Sequence, residues 1–125
     1  LATKHSLENR GFHAPGVIGP VGGAIACAAA LGANSKQIMN ASGIAASMSA
    51  GLLAFAKSDG GGMIKRLHLG RSAEAAVRAA QLAMRGFEGP DTAVDGQFGL
   101  LEAFCPEFTK IALTEELGSR RYKTA

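Results

Sequence analysis

PVGGAIACAAALGANSKQIMNASGIAASMSAGLLAF, residues 20–55, decides the fold class. It reads as two helices in succession. In the first, over residues 20–31, Pro20 takes the first helical position and Gly32 is the stop. This segment is small and apolar on every side, the pattern of a helix buried all round. Gly23, Ala26 and Ala30 would let neighbouring backbones come close. In the second, Asn34 or Ser35 serves as cap, with Gln37 three places after Asn34 in capping-box position. Ile38, Ala41, Ala45, Met48, Leu52 and Phe55 then recur at steps of three and four, an amphipathic stripe. Gly43 and Gly51 within it each cost roughly 1 kcal/mol relative to Ala, so close packing is expected to offset them. A mainly α fold follows.

Downstream, residues 57–62 read as a loop in which Gly60, Gly61 and Gly62 form a hinge. A third helix is expected from about Arg71 to Arg85, ending at Gly86. Arg71, Glu74, Arg78 and Arg85 share one of its faces, with Glu74 and Arg78 in the favourable i,i+4 order, and a solvated face is the simplest account of them. Residues 86–99 are turn-rich, LLEAFC (residues 100–105) reads as a short helix, and residues 109–117 as another.

The 125 residues are 47% apolar but only 18% charged, below the usual quarter. Together with a first residue that is Leu rather than Met, this predicts a segment of a larger protein, with surface meant for packing. The net charge of +3 is modest and nearly balances once Arg120, Arg121 and Lys123 are set aside, so nucleic acid is not an expected partner. The apolar run over residues 11–35 is broken by Pro15, Pro20 and several glycines, which argues against a membrane span. Cys27 and Cys105 form no CxxC pattern and read as reduced, buried residues of a cytoplasmic protein.

Chemistry concentrates at SDGGGMIKRLHLGRSAEAAV, residues 58–77. Lys65, Arg66 and His68 stand just ahead of the helix start expected near Gly70, where free backbone N–H groups and the helix dipole favour anions. The stretch is a candidate carboxylate or phosphate cradle; the alternative is a surface turn with solvated cations. It lacks the Gly-Lys-Ser/Thr ending of a nucleotide-binding loop, and the chain has no GxSxG. His5, His13 and His68 have no metal-ligand spacing, so no metal is expected. His13 lies in a second Gly/Pro-rich stretch, NRGFHAPGVIGP (residues 9–20), again ahead of a helix.

Four pieces, GFHAPGVIGPVGGAIACAAALG, QIMNASGIAASMSAGLLAF, KRLHLGRSAEAA and GFEGPDTAVDGQFGLLEAF, resemble in order the MmgE/PrpD family. Its members include 2-methylcitrate dehydratase, cis-aconitate decarboxylase and iminodisuccinate epimerase. The resemblance implies a longer chain, with a large all-helical domain and a smaller α+β lid bounding the active-site cleft. Residues 1–59 would belong to the helical domain and residues 60–125 would begin the lid. It further implies a lyase or isomerase that needs no cofactor or metal. Such an enzyme takes a proton from the carbon beside a carboxylate of a small di- or tricarboxylate, with a homodimer as the expected state. By position, His13, Lys65 and His68 would be catalytic, while Lys65, Arg66 and Gly70 would bind substrate. Lys65 would be base or carboxylate anchor, and its pKa would fall through burial or the cationic neighbour Arg66. The two histidines would be acid/base groups or oxyanion donors. The chain departs from relatives at Pro15, where threonine is frequent, at Leu69, where proline is frequent, and at Glu74, where histidine is frequent. Pro15 leaves an epimerase or a different carboxylate open. An inactive homologue serving as a packing or dimerisation module is the alternative from another class.

Overall fold

A computed structural model describes residues 4–105, 108, 114, 115, 118 and 119. The fold is mainly helical, with helices α1 (Lys4–Asn9), α2 (Ala14–Ala30), α3 (Ser35–Ser47), α4 (Ile64–Met84) and α5 (Leu100–Phe104). A single 3-10 turn, Leu53–Ala56, lies between α3 and α4. The helix expected over residues 109–117 falls largely outside the described residues.

Helices α2, α3 and α4 pack on one another around a core built almost wholly of alanine. Ala24 and Ala28 of α2 meet Ala41, Ile44 and Ala45 of α3 and Ala76, Ala79, Ala80 and Ala83 of α4. A buried methyl contributes only about 0.8 kcal/mol by transfer, so such a core depends on close backbone approach and dense contact. Spacing across the α2/α4 seam is correspondingly tight. A Cβ added at Gly23 would lie 2.7 Å from Ala76 Cβ. Helix α4, which follows the glycine loop, therefore shares its core with the two helices before that loop. A second cluster of Leu7, Val17, Leu100, Leu101 and Cys105 fastens α1 and α5 to the other side of α2. There the Phe12 and Phe104 rings meet edge to face at 4.9 Å.

Three helix boundaries differ from the sequence reading. Helix α2 opens at Ala14, with Pro15 in its first two positions, where a missing N–H costs nothing. Pro20, expected at the start, is inside the helix and fully buried. Its missing N–H leaves the Gly16 carbonyl without its intrahelical donor, and that oxygen instead accepts from Ala50 N at 3.2 Å. Nor is α2 buried all round, since Ile18 and Ile25 are each 42% exposed.

Helix α3 has the expected Asn34/Gln37 capping box, both bonds being 2.9 Å. It ends at Ser47 and does not carry the apolar stripe on to Phe55. With Ala50 N committed to α2 and Gly51 at φ +154°, a conformation costly to any residue with a Cβ, the backbone leaves the helical path. Leu52 pairs with Phe12 in an isolated antiparallel bridge, and Phe55 falls in the 3-10 turn.

Helix α4 begins at Ile64, about two turns earlier than expected near Gly70. One interior glycine costs only about 1 kcal/mol, and the good helix formers on both sides of Gly70 carry the helix through it. Lys65, Arg66 and His68 are thus helical residues. The helix start lies at Met63 to Arg66, not at Gly70, and two of its N–H groups are already used, Ile64 N donating to the Gly61 carbonyl at 2.9 Å and Arg66 N to the Met63 carbonyl at 3.0 Å.

Candidate active site

His13 is the N-cap of α2, and its extended backbone is fixed from two directions. Its N–H donates to the Gly51 carbonyl at 3.0 Å, and its own carbonyl accepts from Gly16 N at 3.0 Å. The Gly51 carbonyl is in place because Ala50 is tied to the oxygen that Pro20 leaves free. The crossing is close: a Cβ at Gly16 would collide with the Ala50 carbonyl oxygen.

His68 reaches the same point from the second turn of α4. Its Nδ1 lies 3.0 Å from His13 Nδ1, with ring centroids 5.1 Å apart. A hydrogen bond between two Nδ1 atoms needs one ring to carry the proton there and the other to accept it. The pair therefore shares one proton at the contact, and protonating both Nδ1 atoms breaks it. Phe55 sets its ring edge to face against both imidazoles, with centroids 5.2 Å from His13 and 5.8 Å from His68.

His13 is 8% exposed. Burial lowers its pKa below the ordinary histidine value of 6.5, and the nearby His68 and Lys65 charges push the same way against a smaller opposing pull from Glu8. The neutral, proton-accepting form is thereby favoured. Lys65 stands three residues before His68, on the same side of α4. Lys65 and Arg66 are both exposed. Gly70 is also exposed, within α4, with open space where a Cβ would point.

Two hollows adjoin His68. The larger, about 510 Å³, is lined by Gly51, Leu52, Ala54, Phe55, Ser58, Gly61, Ile64 and His68. The smaller, about 120 Å³, shares Gly51 and His68 and adds Gly16, Pro20, Met48, Ala50, Arg71 and Ser72. A further hollow of about 330 Å³ between the end of α3 and residues 90–104 contains none of the candidate residues. Among the described residues no three His, Cys, Asp or Glu side chains gather as a metal site. No helix among them is long and apolar enough to cross a membrane.

Of the five expected site residues, the structure brings His13 and His68 into contact, with Lys65 near enough to act on His13 electrostatically. Arg66 and Gly70 lie on exposed parts of α4. Sequence reasoning missed Phe55, assigned to a core stripe, and Gly51 and Ser72. A signal for Ser72 was present: it is the one hydroxyl in the register of Ala76, Ala79, Ala80 and Ala83.

Cis-aconitate decarboxylase of Homo sapiens is 35% identical to this chain over 88 residues, 70% of the chain and 18% of that protein. Cis-aconitate decarboxylase of Aspergillus terreus is 32% identical over 104 residues, 83% of the chain and 20% of that protein. The chain thus spans about a fifth of the length of these curated relatives. The family model of the MmgE/PrpD N-terminal domain matches residues 1–111. With that match over nearly the whole chain, and with a mainly helical fold, the protein belongs to the MmgE/PrpD family.

Proposed function

We propose that this chain supplies the proton-handling half of the active site of a lyase or isomerase acting on a small di- or tricarboxylate. The observation that carries the reading is the 3.0 Å contact between the Nδ1 atoms of His13 and His68, residues 55 apart in sequence. His68, which lines both hollows, takes the proton from the carbon next to a substrate carboxylate. Neutral His13 accepts across the Nδ1 contact the proton that His68 gives up there. Lys65 faces the negative charge that builds on the carboxylate as the C–H bond breaks, a role suited to an exposed cation at a helix start. The enediolate then expels hydroxide, which leaves as water with the relayed proton, or takes the proton back on its other face. In the decarboxylation branch it is the C–CO₂ bond that breaks, its electron pair shifts onto carbon, and the histidine pair gives that carbon its proton. Decarboxylation is the branch supported by the two decarboxylase relatives. Arg66 extends the carboxylate-binding edge of α4 and Gly70 leaves the surface beside it open, and the active protein is a cytoplasmic homodimer that uses no cofactor.

A second reading, a packing or dimerisation module without catalysis, is favoured by the apolar side chains left uncovered. Ile18 and Ile25 are 42% exposed, Leu67 54% and Leu69 56%. The test separating the two is proton NMR of the complete expressed protein with citrate, methylcitrate, cis-aconitate and iminodisuccinate, beside its Lys65→Ala variant. A product from one of them, lost in the variant, supports the enzyme. No product from any of the four, with the protein folded, removes it and leaves the module.

A further inference from the structure

Ser72 is one of three polar residues buried in the described structure, with His13 and Asn40, and is 7% exposed. It lies one turn after His68 on the same face of α4. Its Oγ is 2.8 Å from the carbonyl oxygen of Pro15, in the first turn of α2, and 2.9 Å from the carbonyl oxygen of His68. The hydroxyl has one proton to place between the two oxygens, and the shorter approach is the one across the helices. Pro15 is two residues after His13, and Ser72 is four after His68. The Ser72–Pro15 tie and the His13–His68 contact are therefore neighbouring rungs between the same two helices.

Next to this tie, the α2/α4 seam consists of small apolar groups. A Cβ at Gly19 would meet Ser72 Cβ and Oγ at 3.0 Å, and one at Gly23 would meet Ala76 Cβ. Contacts of that kind hold the helices together but are not directional, so they tolerate small slides and rotations. A hydrogen bond fixes distance and angle. His13 has its own backbone anchor on Gly51. His68 is a mid-helix residue, and its ring can only be as well placed as α4 itself.

We propose that Ser72 is a positioning residue, whose hydroxyl locks α4 onto the first turn of α2 and thereby holds His68 Nδ1 in hydrogen-bonding reach of His13. The inference rests on the proposed function for its effect on turnover, but not for its effect on the histidine pair. Without the hydroxyl the helices stay packed through their alanines while the register at His68 loosens.

The test uses the complete expressed protein labelled with ¹⁵N-histidine. The parent is expected to show a downfield Nδ1–H resonance protected from exchange, coupled to one histidine and lost in His13→Gln. Ser72→Ala is expected to lose this resonance while keeping its helix content. On the substrate identified above, kcat should fall about tenfold, as for a misplaced catalytic group, with KM changed by less than about twofold. Ser72→Thr retains the hydroxyl and should retain the resonance. If Ser72→Ala does not fold, Ser72→Cys, of similar size but with a weak donor, gives the same comparison. A Ser72→Ala or Ser72→Cys protein that keeps the resonance overturns the proposal, as does equal loss in Ser72→Ala and Ser72→Thr. If the parent turns over no polycarboxylate, the functional reading fails, yet the resonance still decides the role of Ser72.

Discussion

Pro20 and Gly16 lie one turn apart in α2, and the N–H that Pro20 lacks is the reason the Gly16 carbonyl can accept from Ala50 N at 3.2 Å. A helix-breaking residue thus creates the acceptor that carries the 50–51 segment across α2, bringing the Gly51 carbonyl to the His13 N–H. Pro20→Ala would restore an intrahelical donor in competition with Ala50. The amide protons of Ala50 and His13 should then exchange with solvent about tenfold faster, local opening being easier by about 1.4 kcal/mol. Hydrogen exchange resolved by residue checks this, and unchanged protection at both amides would contradict it.

Gly51 lies at φ +154°, and a Cβ there would stand 3.4 Å from both Gly16 Cα and His68 Nδ1. Gly51→Ala is expected to lose about 1–3 kcal/mol in urea unfolding through backbone strain. Its effect on turnover should exceed what that loss explains, because the strained residue carries the carbonyl that holds the His13 N–H and its methyl stands beside His68 Nδ1.

Gly23 faces Ala76 across the α2/α4 seam, with 2.7 Å available between an added Cβ and the existing one. Neither group can rotate away. Gly23→Ala should destabilise the protein by about 1–3 kcal/mol through overpacking, despite the gain in helix propensity. A midpoint of urea unfolding equal to or above that of the parent would show that the seam can spread freely.

The pKa of His13 is lowered in the fold, by burial first and then by His68 and Lys65. The unfolded chain therefore binds more protons at this residue than the native one in the window below the ordinary value of 6.5. Its contribution to stability is fully present above that value and declines as pH falls through the window, levelling off below the lowered pKa. Urea unfolding of the parent and of His13→Gln, compared from pH 7.5 to 5, isolates this residue. The stability of the parent should fall relative to the variant over that window, and a constant difference would refute the assignment.

Local signals were readable from the sequence. The Asn34/Gln37 box is complete within four residues, and α3 starts where it says. The short α5 is likewise found at its apolar run. What misled were residues whose usual local meaning the packing overrides. Pro20 reads as a helix start, but a donor from 30 residues away makes it acceptable inside α2. Gly70 reads as a break, but its neighbours carry the helix through it. Leu52 and Phe55 continue the phase of α3, although the chain has already turned at Gly51 to pair with residues 11–13. His13 and His68 could be chosen through family resemblance. Their contact could not, because it depends on how α2 packs against α4.

The central claim is that His13 and His68 act as one unit in moving a proton. The most direct measurement is the rate of deuterium entry from D₂O into the carbon beside a substrate carboxylate. It would be made for the complete expressed protein and its His13→Gln, His68→Gln and doubly substituted variants. Groups acting together give non-additive losses. Each single variant should lose at least about a hundredfold, in the range typical of acid/base groups, and the double variant should be scarcely slower than the worse single one. Losses that multiply, or a single variant retaining the parent rate, would contradict the account.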